Sequence, residues 1–460
     1  MLLVAGLDVG GSSVKAWVQE LDGPLLASAT VVTATQRPAE HRAEFDPAAW
    51  ELNCREALSR AVEQAGRGDY LGVTVSSLRQ GFVLLDSAGQ ALGNGVLNSD
   101  RRGAPHAHVL QGTYRLTGHW PAPELTFPKL LAVQAEEPGR WAATSRVLFV
   151  HDWLLWLMSG TQVTELSYAC AGGMADVPAR TWAQDLLSAN GIGADRLAPL
   201  VEAGTQVGEL GPGWALPEHL PVVAGCGDTQ LAAMASGGLA DGVVTVVAGS
   251  STPVQVATRS PVQDPLGRPW ISTHAAPDLW AAEGNAGYPG GFSGWWSHVG
   301  GGGPTEDPGG VVAVTAAPYW SQETWERKPP WSLVGLTPAT SPDQVRRALL
   351  ESHAFAVAGN VEDLERALGR RAVAVVITGG AGAVEVAPVL AQVLARDVHL
   401  ADEGGSAAAG TVLVAKAVGA HGHVPGLPGR VLAAGDPGPL AERRGRWSEV
   451  TEALRSALPE

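Results

Sequence analysis

Four times along the chain, a short β-forming apolar run ends in a turn of glycine and small polar residues. Leu2–Leu7 runs into Asp8-Val9-Gly10-Gly11-Ser12-Ser13, and Val222-Val223-Ala224 into Gly225-Cys226-Gly227-Asp228. Gly242–Val247 leads into Ala248-Gly249-Ser250-Ser251, and Ala372–Ile377 into Thr378-Gly379-Gly380-Ala381-Gly382. Such turns bend sharply, let the backbone approach a ligand, and can point N–H groups at an anion. A β-run, a small-residue turn and a second β-run occur at Leu3–Val18 and recur at Val243–Val256. That recurrence hints at two related domains.

The chain has 460 residues, enough for two large domains. Lys and Arg number 31 against 46 Asp and Glu, a net charge of −15, which argues against a nucleic-acid partner. The lysines are Lys15, Lys129, Lys328 and Lys416, and none sits in a Gly-Lys-Ser/Thr loop. A nucleoside triphosphate would have to be held without a Walker A motif. No Gly-x-Gly-x-x-Gly follows the first strand, which argues against a nicotinamide oxidoreductase. Cys54, Cys170 and Cys226 are widely spaced and suggest neither disulfides nor zinc. The N-terminus lacks a basic region and reaches Asp8 early, unlike a signal peptide. No long apolar run predicts a membrane span, so a cytoplasmic protein with no membrane partner is expected.

Val14–Gln19, Leu25–Val32 and Tyr70–Val75 read as further strands. Asp46–Gln64 has helical spacing, with Asp46 as N-cap and Pro47 at the first helical position. Gly81–Asp86 and Gln90–Leu97 form an expected hairpin about Ser87-Ala88-Gly89. Helices are predicted over Val147–Met158, Thr229–Ser236, Val384–Leu394 and from Gly404 through Val418. Gly300–Gly310 reads as a linker-like surface loop.

Each glycine turn has an ordinary reading beside its functional one. Asp8 at a strand end is placed to hold Mg²⁺, or simply to begin a hairpin turn. Asp228, between a strand end and a helix start, is placed to act as a base, or simply to cap the helix. Trp295 and Trp296 could form a stacking wall but read more naturally as core.

Taken in order, these segments resemble the FGGY carbohydrate kinase family, within the sugar kinase/Hsp70/actin superfamily. Asp8-x-Gly10-Gly11-Ser12 is similar to the family's first phosphate motif. Phe82–Gly89 with Asn98-Ser99-Asp100-Arg101-Arg102 resembles its sugar-site hairpin. His151-Asp152-Trp153-Leu154 through Thr161, then Thr164-Glu165, resembles its next characteristic segment. Gly225–Gln230 resembles the block carrying the catalytic base, Gly249-Ser250 the second phosphate motif, and Gly379-Gly380-Ala381 the adenosine motif. Glu403–Ala409 resembles the closing segment. Ser77-Leu78-Arg79-Gln80-Gly81 is more similar to the Ser-Met-Arg-Glu-Gly of autoinducer-2 kinases than to the Gly-Gln-Met-His-Gly of pentulose kinases. Two departures stand out. Ala248 and Ser250 replace the usual Gly and Thr, and Ala316–Leu336, with Trp320, Trp325 and Trp331, departs from the family pattern.

The resemblance implies an α/β fold of two ribonuclease H-like (actin-like ATPase) domains with a cleft between them. The expected boundaries are 1–234, sugar-binding, and 235–460, ATP-binding. It implies ATP-dependent phosphorylation of a hydroxyl on a small sugar, either an autoinducer-2-like linear compound or a pentulose such as xylulose. Asp228 would be the base. Arg79, Gln80, Asp100 and Asp228 would bind substrate, although Asp100 could instead only pair with Arg102. Gly10, Gly11, Ser12, Ser13, Lys15, Gly249, Ser250, Gly379, Gly380 and Ala381 would bind ATP, with Asp8 at Mg²⁺. Domain closure would exclude water. A homodimer is compatible with the resemblance. The rival readings are a non-catalytic sugar sensor and an actin-like nucleotide switch.

Overall fold

The computed structural model describes residues 1–249, 251–299, 306–314, 331–401, 405–423 and 426–457. The chain divides into two compact units. The first comprises Met1–Ala235, Ile271–Trp280 and Gly404–Pro425; the second comprises Ser236–Trp270, Ala281–Glu403 and Gly426–Glu460.

In the first unit β1 (Leu2–Val9) pairs antiparallel with β2 (Ser13–Glu20), which pairs antiparallel with β3 (Leu25–Val32). After helix α1 (Pro47–Ala65), β4 (Asp69–Ser77) returns parallel to β1. Two strands complete the sheet, β5 (Gln206–Glu209) and β6 (Pro221–Gly227), in the order β5-β6-β4-β1-β2-β3. Helix α1 starts as its sequence dictates: Asp46 accepts from Ala48 N at 2.9 Å, with Pro47 in the first turn. Its buried stripe of Trp50, Cys54, Ala57, Leu58 and Ala61 joins Leu3, Ala5, Leu7 and Val9 in one core. The alternate residues of the sheet, Val4, Trp17 and Val223, pack on its other face against Ala407 and Val414 of helix Gly405–Ala417. Burial on both faces explains the continuous apolar runs of β1 and β6, which lack the alternation seen in the edge strand β3.

The second unit repeats the path. β7 (Val243–Val247) pairs antiparallel with β8 (Pro253–Thr258), and next to β8 lies β9 (Trp280–Asn285), all but its first residue in this unit. Helix α2 (Pro342–Leu368) opens with a capping box between Ser341 and Gln344. β10 (Ala374–Thr378) then runs parallel to β7, and helix α3 (Gly380–Leu394) leads to β11 (Val398–Leu400) and β12 (Val431–Leu432). Six strands of this seven-stranded sheet, in the order β9-β8-β7-β10-β11-β12, match β3-β2-β1-β4-β6-β5 in turn. The faint sequence recurrence is therefore a repeat of topology.

Some expected boundaries move. Arg146–Phe149 is a strand, pairing antiparallel with Phe82–Leu85, and the expected helix begins only at Val150. Its run Val147-Leu148-Phe149 is wholly apolar, so periodicity could not separate strand from helix. Thr378–Gly382 is not a free turn: helix α3 begins at Gly380. Residues 300–305, Trp320, Trp325, Ser250, Glu403 and Gly404 lie outside the described residues. Trp295 is half exposed in helix Pro289–Val299, whereas the partly buried Trp296 packs against the cluster around Phe292. No helix among the described residues is long and apolar enough to cross a membrane.

Candidate active site

The first unit gathers most of the expected residues at the ends of three adjacent strands, β1, β4 and β6. Asp8 closes β1, opposite Lys15 on β2 and beside Ser76 on β4. Ser76 Oγ donates to Asp8 Oδ1 at 3.2 Å. Burial, and then the Asp228 carboxylate, push Asp8 up to about 6, against the opposing pull of Ser76 and Lys15. The turn after Asp8 is tight, with Gly10 N donating to Ser13 O at 2.9 Å, and it leaves Ser12 and Lys15 exposed.

Asp228 opens the helix Asp228–Ala235 directly after β6, and its side chain is 52% exposed. Arg79 Nε lies 3.7 Å from Asp228 Oδ1. Its approach is set by the next residue, since Gln80 adopts φ +68, a left-handed conformation rare outside glycine. The carbonyl of Gln80 is clamped there by Thr126 Oγ1 and Lys129 Nζ, each at 2.9 Å. Lys129 also donates to Leu97 O at 2.9 Å, so one buried ammonium ties the Arg79–Gln80 corner to the start of the Asn98–Arg102 turn. Burial pulls Lys129 down to about 7.

Asp100 is placed differently from the expectation of substrate contact. It is fully buried and accepts from Ala43 N, Arg102 N, Arg102 Nε and Arg102 Nη2 at 2.7–2.9 Å. Arg102, equally buried, continues the pair to Glu44 and Glu137. With both Asp100 oxygens engaged, this group shapes the turn and does not face a ligand.

Beneath Asp228 lies a buried polar chain that sequence reasoning did not single out. Strands β4 and β6 lose register between Ala224 and Gly227. Gly225 sits in this bulge, where an added Cβ would meet Val75 O at 1.9 Å. Tyr168 OH fills the gap in the ladder, accepting from Ser77 N and donating to Cys226 O, both at 2.9 Å. Ser167 Oγ accepts from Gly227 N at 3.2 Å and donates to Glu165 Oε2. Burial raises Glu165 to about 8 and raises Asp152, which accepts from His151 Nδ1 and from Glu165 N. His119 is a second missed residue. Burial, reinforced by the Arg79 charge, holds it down at about 4 and therefore neutral. Lys129 carried a readable signal, a lone charge in the apolar run Thr126–Leu131, whereas Ser167 and His119 carried none.

The second unit brings the other two glycine turns together. β7 and β10 are parallel neighbours, and Ala248 N donates to Thr378 O at 2.7 Å. Gly379 adopts φ +118, and a Cβ there would lie 2.5 Å from Ala248 O, so only glycine fits between the turns. The N-cap of helix α3 is Gly379, which has no side chain to bond the first N–H groups of the helix. Ser250 and the side chain of Ala381 lie outside what is described. Among the described residues no cluster of three or more His, Cys, Asp or Glu could hold a metal. Asp8 and Asp228 supply only a pair of carboxylates, which suits Mg²⁺ shared with phosphate oxygens.

The N-terminal-domain model of the FGGY family of carbohydrate kinases matches residues 3–235. The xylulose kinase of Klebsiella pneumoniae is 31% identical over 244 residues, covering 50% of this chain and 50% of that protein. An autoinducer-2 kinase of Salmonella paratyphi A is 29% identical over 298 residues, covering 59% of this chain and 54% of that protein. The chain thus spans about half the length of these curated relatives. The crystal structure of xylulose kinase from Rhodospirillum rubrum superposes with a TM-score of 0.84 at 24% identity, covering 99% of each chain, a likeness of fold.

Proposed function

Because the chain belongs to the FGGY family of carbohydrate kinases, we propose that it phosphorylates a hydroxyl of a small sugar or sugar-like substrate at the expense of ATP. The observation that carries this reading is Asp228: an exposed carboxylate at a strand end, 3.7 Å from Arg79 and within the field of Asp8. Asp228 accepts the substrate hydroxyl proton, and the Arg79 guanidinium beside it helps to orient the carboxylate. Gln80 lies on the same substrate side, its backbone fixed by Lys129 and Thr126. The turn Gly10–Ser13 with Lys15, and the turns at Gly249-Ser250 and Gly379-Gly380-Ala381, are the ATP-binding segments. Asp8, with help from Asp228, would hold Mg²⁺. Bound MgATP supplies the phosphoryl group and the charge that stabilises its transfer. The protein's own share is positioning, proton acceptance and donor N–H groups.

The relatives named xylulose kinase and autoinducer-2 kinase frame the substrate class: a pentulose such as xylulose, or a short linear compound like the autoinducer-2 precursor. The Ser77–Gly81 block favours the second. Coupled ADP release over pentuloses, tetritols, glycerol and the autoinducer-2 precursor tests the reading. Asp228→Asn should lower kcat about 100- to 10,000-fold, the range for losing a general base. Full turnover by Asp228→Asn would exclude the assignment. A panel that shifts thermal unfolding without raising ADP release would replace it with the sugar-sensing reading.

A further inference from the structure

The register of β6 against β4 slips between Ala224 and Gly227 and resumes only at the Gly227–Ser77 pair, so the segment just before Asp228 departs from the regular ladder. A carboxylate at the end of such a segment would normally wander, because each unpaired backbone group weakens its hold. Two consecutive side chains from the short helix Leu166–Ala171 replace the missing bonds. Tyr168 OH bridges Ser77 N to Cys226 O, and Ser167 Oγ receives Gly227 N. Ser167 Oγ is engaged on both sides. Its hydroxyl proton goes to Glu165 Oε2, which turns a lone pair toward Gly227. Both side chains are fully buried, and the Tyr168 ring is held by a 4.6 Å stack on His151. Two of the three bridged backbone atoms, Cys226 O and Gly227 N, belong to the residues immediately before Asp228, and the third, Ser77 N, to the neighbouring strand β4.

We propose that Ser167 and Tyr168 form a staple that positions Asp228, with Glu165 orienting Ser167. They are positioning residues, since neither touches Asp228 itself. The proposal rests on the kinase reading for what Asp228 does, but the staple can be read without turnover.

The test uses the full chain, with Ser167→Ala and Tyr168→Phe, each of which removes one oxygen, and Thr144→Ala as a control. Thr144 is also buried, and its hydroxyl donates to Arg140 O, away from β6. Hydrogen–deuterium exchange of the peptide spanning Val222–Leu231 should accelerate roughly tenfold in both staple variants and not in the control. With D-xylulose as probe, kcat should fall about 10- to 100-fold, the effect of a slightly misplaced group, while KM for D-xylulose and ATP stays unchanged. Unchanged exchange in the staple variants, equal acceleration in the control, or a loss confined to KM would overturn the proposal. If exchange accelerates while the wild-type chain releases no ADP with any sugar of the panel, the staple stands and the kinase reading falls.

Discussion

Lys129 shows how one residue can hold a site without entering it. Its ammonium is fully buried, faces Asp100, Glu124 and Arg102, and is shared between the carbonyls of Gln80 and Leu97. The unfolded lysine keeps its proton up to the ordinary value of 10.5, whereas the folded one releases it near 7. Between those values the unfolded state binds more protons, so this group makes stability rise with pH. Below about pH 7 the penalty for burying the charge is fully present. Lys129→Met should flatten the pH dependence of the urea midpoint between 7 and 10.5; an unchanged slope would show that Lys129 does not titrate there. Asp100 teaches the reverse lesson. In sequence, Asp100 is open to two readings, contact with a substrate or pairing with Arg102 alone. Only the fold shows that Arg102 turns inward and takes both Asp100 oxygens. Sequence names a residue's chemistry but not whether its atoms are already engaged.

At the scale of elements, the legible parts were those with local physical causes. The Asp46-Pro47 start of α1 and the span Leu25–Val32 need no tertiary information, because cap chemistry and β-branched spacing fix them. The bulge in β6 was not legible. Gly225-Cys226-Gly227 announced a turn, yet the chain there is a strand whose neighbour comes within 1.9 Å of where a Cβ would stand at Gly225. Gly225→Ala should therefore push β6 away from β4 and lower stability by about 1–3 kcal/mol, the usual range for overpacking. Denaturant unfolding checks this, and a midpoint equal to wild type would mean that the strands separate freely. The strand Arg146–Phe149 was misread because its pairing with Phe82–Leu85 comes from residues about sixty positions away.

For the whole molecule, the repeated strand order explains why a short β-run, a glycine turn and a second β-run occur twice in one chain. It does not make each half of the sequence self-sufficient. Helix Gly405–Ala417, far along the chain, covers Val4, Trp17 and Val223 in the first unit. Residues 1–235 produced alone should leave that apolar face uncovered. They should bind a hydrophobic dye strongly and unfold with weak cooperativity, unlike the full chain. A cooperative, dye-silent fragment would show that the helix is dispensable. By itself the sequence determined the class of strands, the glycine turns at their ends and the family resemblance, because these rest on local propensity and short motifs. Tertiary structure alone decided which groups are buried and paired, which turns meet and which distant helix completes the first unit. Burial and long-range pairing depend on chain segments that no local window contains.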